Sequence, residues 1–171
     1  KFKNGENLTI TGPGGTGKSK LIHHFVSHAI CQSKSVQVTA MTGCAAILLG
    51  TAAKTIHSWS GIKTCRGTKQ SIIMHAQKNK NARKNWRKTQ ILIIDEASMM
   101  SVKIFDTINE LAQSIRNNPT PFGGIQVVLV GDFYQLPPIE SPDEPETGAF
   151  CFQSKKYFDA FPINNHVVLK T

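Results

Sequence analysis

Long hydrophobic runs are missing from this 171-residue chain. No stretch approaches the roughly 20 consecutive apolar residues that a membrane-crossing helix needs, and the first residues carry no secretory-leader pattern. The expectation is a chain with no membrane partner. The four cysteines, Cys31, Cys44, Cys65 and Cys151, never fall at C-x-x-C spacing, so neither a zinc site nor a redox pair is indicated. Reduced thiols in an intracellular compartment are the simplest reading. No internal repeat is visible. Acid is nearly absent from the first half: residues 1–90 hold fifteen of the twenty Lys and Arg beside one acid, Glu6, whereas residues 91–171 hold five bases and ten acids. Such lopsided charge suits a polyanionic partner contacted by the first half.

The stretch Gly12-Pro13-Gly14-Gly15-Thr16-Gly17-Lys18-Ser19 fits the phosphate-loop pattern G-x-x-x-x-G-K-[ST]. A short β-favouring segment, Asn7 to Thr11, precedes it, and apolar residues at helical spacing follow it. Closely spaced glycines let the backbone fold around a phosphate with its N–H groups pointing inward. The following helix offers its positive dipole end to the same anion. Lys18 is then placed to reach the β and γ phosphates of a nucleotide such as ATP, and the Ser19 hydroxyl to hold Mg²⁺.

Ile91-Leu92-Ile93-Ile94 is an apolar run that ends in Asp95 and Glu96. A run apolar on both faces suits a central parallel strand between helix layers, and the acids then fall at its carboxyl end, where open α/β sheets bind ligands. There Asp95 is suited to position Mg²⁺ opposite Ser19, and Glu96 to take a proton from an attacking water. A third run, Gln126 to Val130, ends in Gly131 and Asp132 and leads into Phe133-Tyr134-Gln135-Leu136-Pro137-Pro138. Gln135 is placed to bond the γ phosphate or orient water, and the two prolines stiffen the exit from that loop.

Strands are expected near residues 8–11, 35–40, 91–95, 126–131 and 165–169, and helices near 17–32, 43–49, 69–87, 98–116 and 154–160. Alternating strands and helices imply an α/β fold, a doubly wound and mainly parallel sheet with helices on both faces. A hydrophobic share of 40% over 171 residues suits a single domain, residues 1–171. The densest basic cluster is Lys78, Lys80, Arg83, Lys84, Arg87 and Lys88 around Trp86. Two readings stand open for it: a backbone-binding patch with Trp86 as a stacking face, or the solvated side of two short helices whose inner face is Ile72, Ile73, Ala76 and Trp86.

The phosphate loop, Thr39-Ala40-Met41-Thr42-Gly43-Cys44-Ala45-Ala46, Thr55-Ile56-His57-Ser58-Trp59, Ile94-Asp95-Glu96-Ala97-Ser98-Met99 and Gly131 to Pro138 occur in the order seen in the Pif-type DNA helicases, which the chain resembles over nearly its whole length. The resemblance implies a RecA-like P-loop domain of superfamily one that uses ATP and Mg²⁺ and moves 5′ to 3′ on single-stranded DNA. It also implies that Thr42, Gly43, His57 and Ser58 lie in segments lining the strand. For His57 the competing reading is a capped helix start followed by core packing of Trp59. The family's adenine-contacting glutamine would precede residue 1, and its next arginine motif would follow residue 171. The expectation is therefore an isolated first motor domain whose partner, a second RecA-like domain of the same full-length chain, completes the site. A P-loop phosphotransferase is the alternative, but it leaves Gly131 to Pro138 unexplained. A non-catalytic DNA-binding remnant sits poorly with an intact Lys18, Asp95 and Glu96.

Overall fold

A computed structural model describes residues 1–50 and 52–171. Its elements, in chain order, are β1 (Leu8–Thr11), α1 (Lys18–Cys31), β2 (Val36–Ala40), α2 (Gly43–Leu49), β3 (Lys54–Thr55), α3 (Ile56–Ser60), α4 (Lys69–Lys78), α5 (Lys80–Lys88), β4 (Ile91–Asp95), α6 (Val102–Arg116), β5 (Gln126–Gly131), α7 (Tyr157–Ala160) and β6 (His166–Val168), with short 3₁₀ turns between some of them. The six strands form one sheet in the order β3-β2-β4-β5-β1-β6, and every pairing is parallel.

Strict alternation along the central strands divides the core in two. From β4, Leu92 and Ile94 face one side while Ile91 and Ile93 face the other; from β5, Val127 and Leu129 part from Val128 and Val130 in the same way. The first side is the larger core, closed by Trp59, Trp86, Phe105, Phe122, Tyr157 and Phe161. The second is the smaller, where Phe2, Ile22 and Ala29 cover the sheet. Burial on both faces is why β4 and β5 read as unbroken apolar runs. Thr9, on the larger side of β1, is satisfied by the Tyr157 hydroxyl at 2.7 Å, which in turn lies 3.1 Å from His166 Nε2. That chain of polar contacts ties β1, α7 and β6 together.

Several boundaries differ from the sequence expectation for local reasons. The helix expected over 69–87 is two helices, because the Asn79 side chain accepts from the N–H groups of Asn81 and Ala82 at 3.0 and 3.1 Å and starts a new helix. The helix expected from residue 98 begins at Val102; Ser101 caps it by accepting from Ile104 N–H at 3.2 Å, and Ala97–Met99 form a 3₁₀ turn. Residues 154–160 hold only the four-residue α7. Strand β3 had no counterpart among the expected elements, whereas α3 matches the competing reading of His57: Thr55 caps the helix by accepting from Ser58 N–H, and Trp59 packs into the core. Among the described residues, no helix is long and apolar enough to cross a membrane.

Candidate active site

The carboxyl ends of β1, β4 and β5 lie side by side, so the turns that leave them converge. After β1 the phosphate loop runs into α1, whose N-terminus is set by Gly17 at φ 89°, a left-handed conformation that L side chains disfavour. Lys18 folds back over this loop and donates to the carbonyls of Gly12 and Pro13 at 2.6 and 2.8 Å. Thr16 Oγ1 also donates to the Pro13 carbonyl, at 2.7 Å. Phosphate oxygens at this position would compete for the same ammonium protons. Ser19 is exposed in the first turn of α1.

After β4 come Asp95 and Glu96. Glu96 N–H donates to Asp95 Oδ1 at 2.8 Å. Glu96 itself sits at φ 57°, ψ 38°, a left-handed conformation that costs a non-glycine residue about 1–2 kcal/mol. The kink turns the Glu96 side chain toward β2, where its Oε2 accepts a hydrogen bond from Thr42 Oγ1 at 2.7 Å. Burial, together with the Glu96 charge, raises the Asp95 pKa above the ordinary 3.8, against the pull of the Glu96 N–H and Lys18.

After β5 the backbone passes close to the Glu96 turn: a Cβ on Gly131 would lie 3.0 Å from Ala97 N, so only glycine fits without displacing the acids. The buried Asp132 shapes the next turn, accepting from Tyr134 N–H at 3.0 Å through Oδ1, while its carbonyl accepts from Gln135 N–H at 3.0 Å. Asp132 thus builds the loop that presents Gln135. Lys18, Asp95, Glu96, Asp132 and Gln135 all line one cavity of about 180 Å³, and a Cβ on Gly14 would lie 3.9 Å from Gln135 Nε2, so the glutamine reaches the phosphate loop. Hard oxygen donors in small number suit Mg²⁺, which takes one or two carboxylates and completes its shell with phosphates and water. Among the described residues no group of three or more His, Cys, Asp or Glu is arranged to hold a metal.

Beside this cavity lies a groove of about 350 Å³ whose walls include Met41, Thr42, His57, Arg66, Met99, Lys103 and Ile139. Met99 is common to both spaces. Of the four residues expected along a strand, Thr42 and His57 meet in this groove, whereas Gly43 and Ser58 are exposed outside its lining. His57 is half-buried, and that burial lowers its pKa below the usual 6.5, so the ring is neutral at pH 7. Met41 and Met99 stand inside motifs noted above but were given no role there, and Arg66 and Lys103 carried no sequence signal, because only the fold brings residues 41, 66, 99 and 103 together.

The structure removes Trp86 as a stacking face and places most of the basic side chains on a solvated helix face. Trp86 is 0% exposed, stacks edge-on against Trp59 with centroids 4.6 Å apart and donates its indole N–H to the Ser60 carbonyl at 3.1 Å. No face is left for a base. Lys78, Lys80, Lys84, Arg87 and Lys88 point outward and Arg83 is half-buried. Helix α5 ends just before β4 begins, so Arg87 and Lys88 sit at the amino edge of the sheet, opposite the groove.

A parallel sheet with a phosphate loop after β1, paired acids after β4 and a polar turn after β5 defines a RecA-like P-loop nucleotide-binding domain. Within that class the chain belongs to the PIF1-like helicase family, whose profile matches residues 1–166. The ATP-dependent DNA helicase RRM3 of Saccharomyces cerevisiae is 40% identical over 153 residues, 88% of this chain and 21% of that protein. The ATP-dependent DNA helicase Pif1 of Psychrobacter sp. is 37% identical over 159 residues, 93% of this chain and 24% of that protein. The chain therefore spans less than a quarter of either relative's length. Among solved structures, the Pif1 helicase from Candida albicans superposes with a TM-score of 0.86 at 39% identity, over 99% of this chain and 37% of that one. The Bacteroides Pif1 helicase in complex with ADP-AlF3 and single-stranded DNA superposes with a TM-score of 0.77 at 27% identity, over 98% of this chain and 39% of that one.

Proposed function

We propose that this chain is the ATP-hydrolysing first motor domain of an intracellular DNA helicase moving 5′ to 3′ on single-stranded DNA. A second RecA-like domain of the same polypeptide completes the nucleotide site. The observation that carries this reading is the convergence of Lys18, Asp95, Glu96 and Gln135 on one cavity that shares Met99 with the groove holding Thr42 and His57.

In this reading the loop Gly12–Ser19 cradles the phosphates, and Lys18 exchanges its two loop carbonyls for β and γ oxygens. Ser19 and Asp95 hold Mg²⁺, which when bound neutralises charge on those phosphates. Glu96 accepts the proton of the attacking water, and Gln135 orients that water or reads the γ phosphate. Thr42 and His57 face the strand, with Gly43 and Ser58 at its margin. The Bacteroides relative solved with ADP-AlF3 and single-stranded DNA supports the pairing of these two ligands.

Hydrolysis of ATP by the full-length polypeptide, with and without an oligothymidylate, tests the reading. Turnover should rise with the strand and vanish in Lys18→Ala, since Lys18 is the cationic side chain lining the cavity and its charge is what neutralises the β and γ phosphates. DNA-independent transfer of the γ phosphate to a small-molecule acceptor would instead make the chain a phosphotransferase.

A further inference from the structure

Strands β2 and β4 are neighbours, with Ala40 paired to Asp95. Thr42, two residues past the end of β2, is thereby set against Glu96, one residue past the end of β4. The Thr42 hydroxyl serves two bonds at once. Its oxygen accepts from Ala45 N–H at 3.2 Å and caps α2, and its single proton goes to Glu96 Oε2 at 2.7 Å. The same residue forms part of the wall of the groove with Met41 and His57.

We propose that Thr42 is the positioning residue through which an occupied strand groove releases the general base. The inference rests on the helicase reading above. A hydroxyl has one proton to donate, so it serves either Glu96 or an acceptor in the groove, and never both. Phosphate oxygens and base carbonyls are acceptors. A strand lying against Thr42 takes that proton only by surrendering the bond to Glu96. Before the strand arrives, the bond holds the carboxylate toward α2. Afterwards the carboxylate is free to turn to water in the nucleotide cavity. The left-handed backbone of Glu96 fits this role, because it aims the side chain across to β2.

The test compares Thr42→Ala, Thr42→Asp and Thr42→Ser in the full-length polypeptide, measuring kcat for ATP with no DNA and with saturating oligothymidylate. Alanine removes both bonds of the hydroxyl. Aspartate keeps a cap acceptor for Ala45 N–H but has no proton for Glu96. Serine keeps both bonds. A hydrogen bond to a charged group corresponds to roughly 10- to 100-fold in an equilibrium, so Thr42→Ala and Thr42→Asp should raise DNA-free kcat about tenfold and bring the ratio of stimulated to basal rate near one. Thr42→Ser should match the parent. A role confined to packing or capping would move both rates together and leave the ratio intact. The proposal falls if Thr42→Asp, the variant that keeps the cap, retains the parental ratio, or if its basal rate drops. Absence of stimulation in the parent protein overturns the helicase reading itself, whereas a stimulated parent with unchanged variant ratios overturns the coupling alone.

Discussion

At the end of β4 two adjacent acids differ only in where the backbone sends them. Asp95 is the last strand residue and keeps its place beside Lys18; Glu96 leaves the strand in a left-handed turn. The difference predicts unlike mutants. Glu96→Gln should bind Mg-nucleotide normally while kcat falls about 10²–10⁴-fold, the usual contribution of a positioned base. Asp95→Asn should weaken Mg²⁺-dependent nucleotide binding. Equal binding defects in titrations with and without Mg²⁺ would remove the division of roles. Because burial raises the Asp95 pKa above 3.8, acidification should loosen Mg-nucleotide earlier than an ordinary aspartate would. The protonated form gains ground at a higher pH, and it cannot hold the metal. The thiols divide by burial as well. Burial pushes Cys151 up to about 12 and raises Cys65, while Cys31 and Cys44 are exposed. Since the thiolate is the reactive form, a thiol reagent should label Cys31 and Cys44 quickly in the native protein and the other two only on unfolding. The phosphate loop and the acid pair were legible in the sequence because each is contiguous and its chemistry fixes its residue types. The bond between Thr42 and Glu96 was not, since it depends on β2 and β4 being neighbours.

Among the elements, β4 and β5 were readable because burial on both faces leaves an unbroken apolar run. The two-residue β3 is too short to show any period, and α3 owes its place to the Thr55 cap and the core packing of Trp59. The sequence reading set one helix over 69–87 beside an alternative of two short helices, and the Asn79 cap decides for two. The split matters for function, since α5 turns Trp86 inward and its basic face outward at the amino edge of the sheet. Strand binding should therefore depend on the groove. Removing the charges of Lys84, Arg87 and Lys88 should change the slope of log affinity against log salt by less than the ~0.7 expected for one phosphate contact on a single strand. His57→Ala should weaken binding about 2- to 10-fold, as one hydrogen bond contributes roughly 0.5–1.5 kcal/mol. Any pH dependence of the histidine contribution should fall lower than for an ordinary histidine, because burial lowers its pKa. Fluorescent oligonucleotide titrations over a salt series decide between the two elements, and a flattened slope in the triple variant would put the strand on α5 after all.

For the molecule as a whole, the nucleotide cavity is where the two cores meet at one edge of the sheet. Lys18 stands on α1, which covers the smaller core, while Glu96 and Gln135 belong to turns joined to the larger one through Ala97 and Phe133. A ligand spanning Lys18, Asp95 and Gln135 therefore links elements packed on opposite faces of the sheet, and it binds only when both are folded. Linkage gives the size of the effect. A ligand at one hundred times its Kd that does not bind the unfolded chain stabilises by about 2.7 kcal/mol. For a domain of this length each kcal/mol moves Tm by roughly 2–4 °C. Saturating the 171-residue chain with Mg-ADP should accordingly raise Tm by about 5–10 °C, in one cooperative transition seen alike by Trp59 and Trp86 fluorescence and by far-ultraviolet circular dichroism. Lys18→Ala should abolish the shift while leaving the ligand-free Tm close to the parent's, because the bonds it loses are local ones to the part-buried carbonyl of Gly12 and the exposed carbonyl of Pro13. A shift that persists in Lys18→Ala would place the nucleotide elsewhere. Two separate transitions on adding Mg-ADP would mean that the ligand stabilises one side of the sheet without the other.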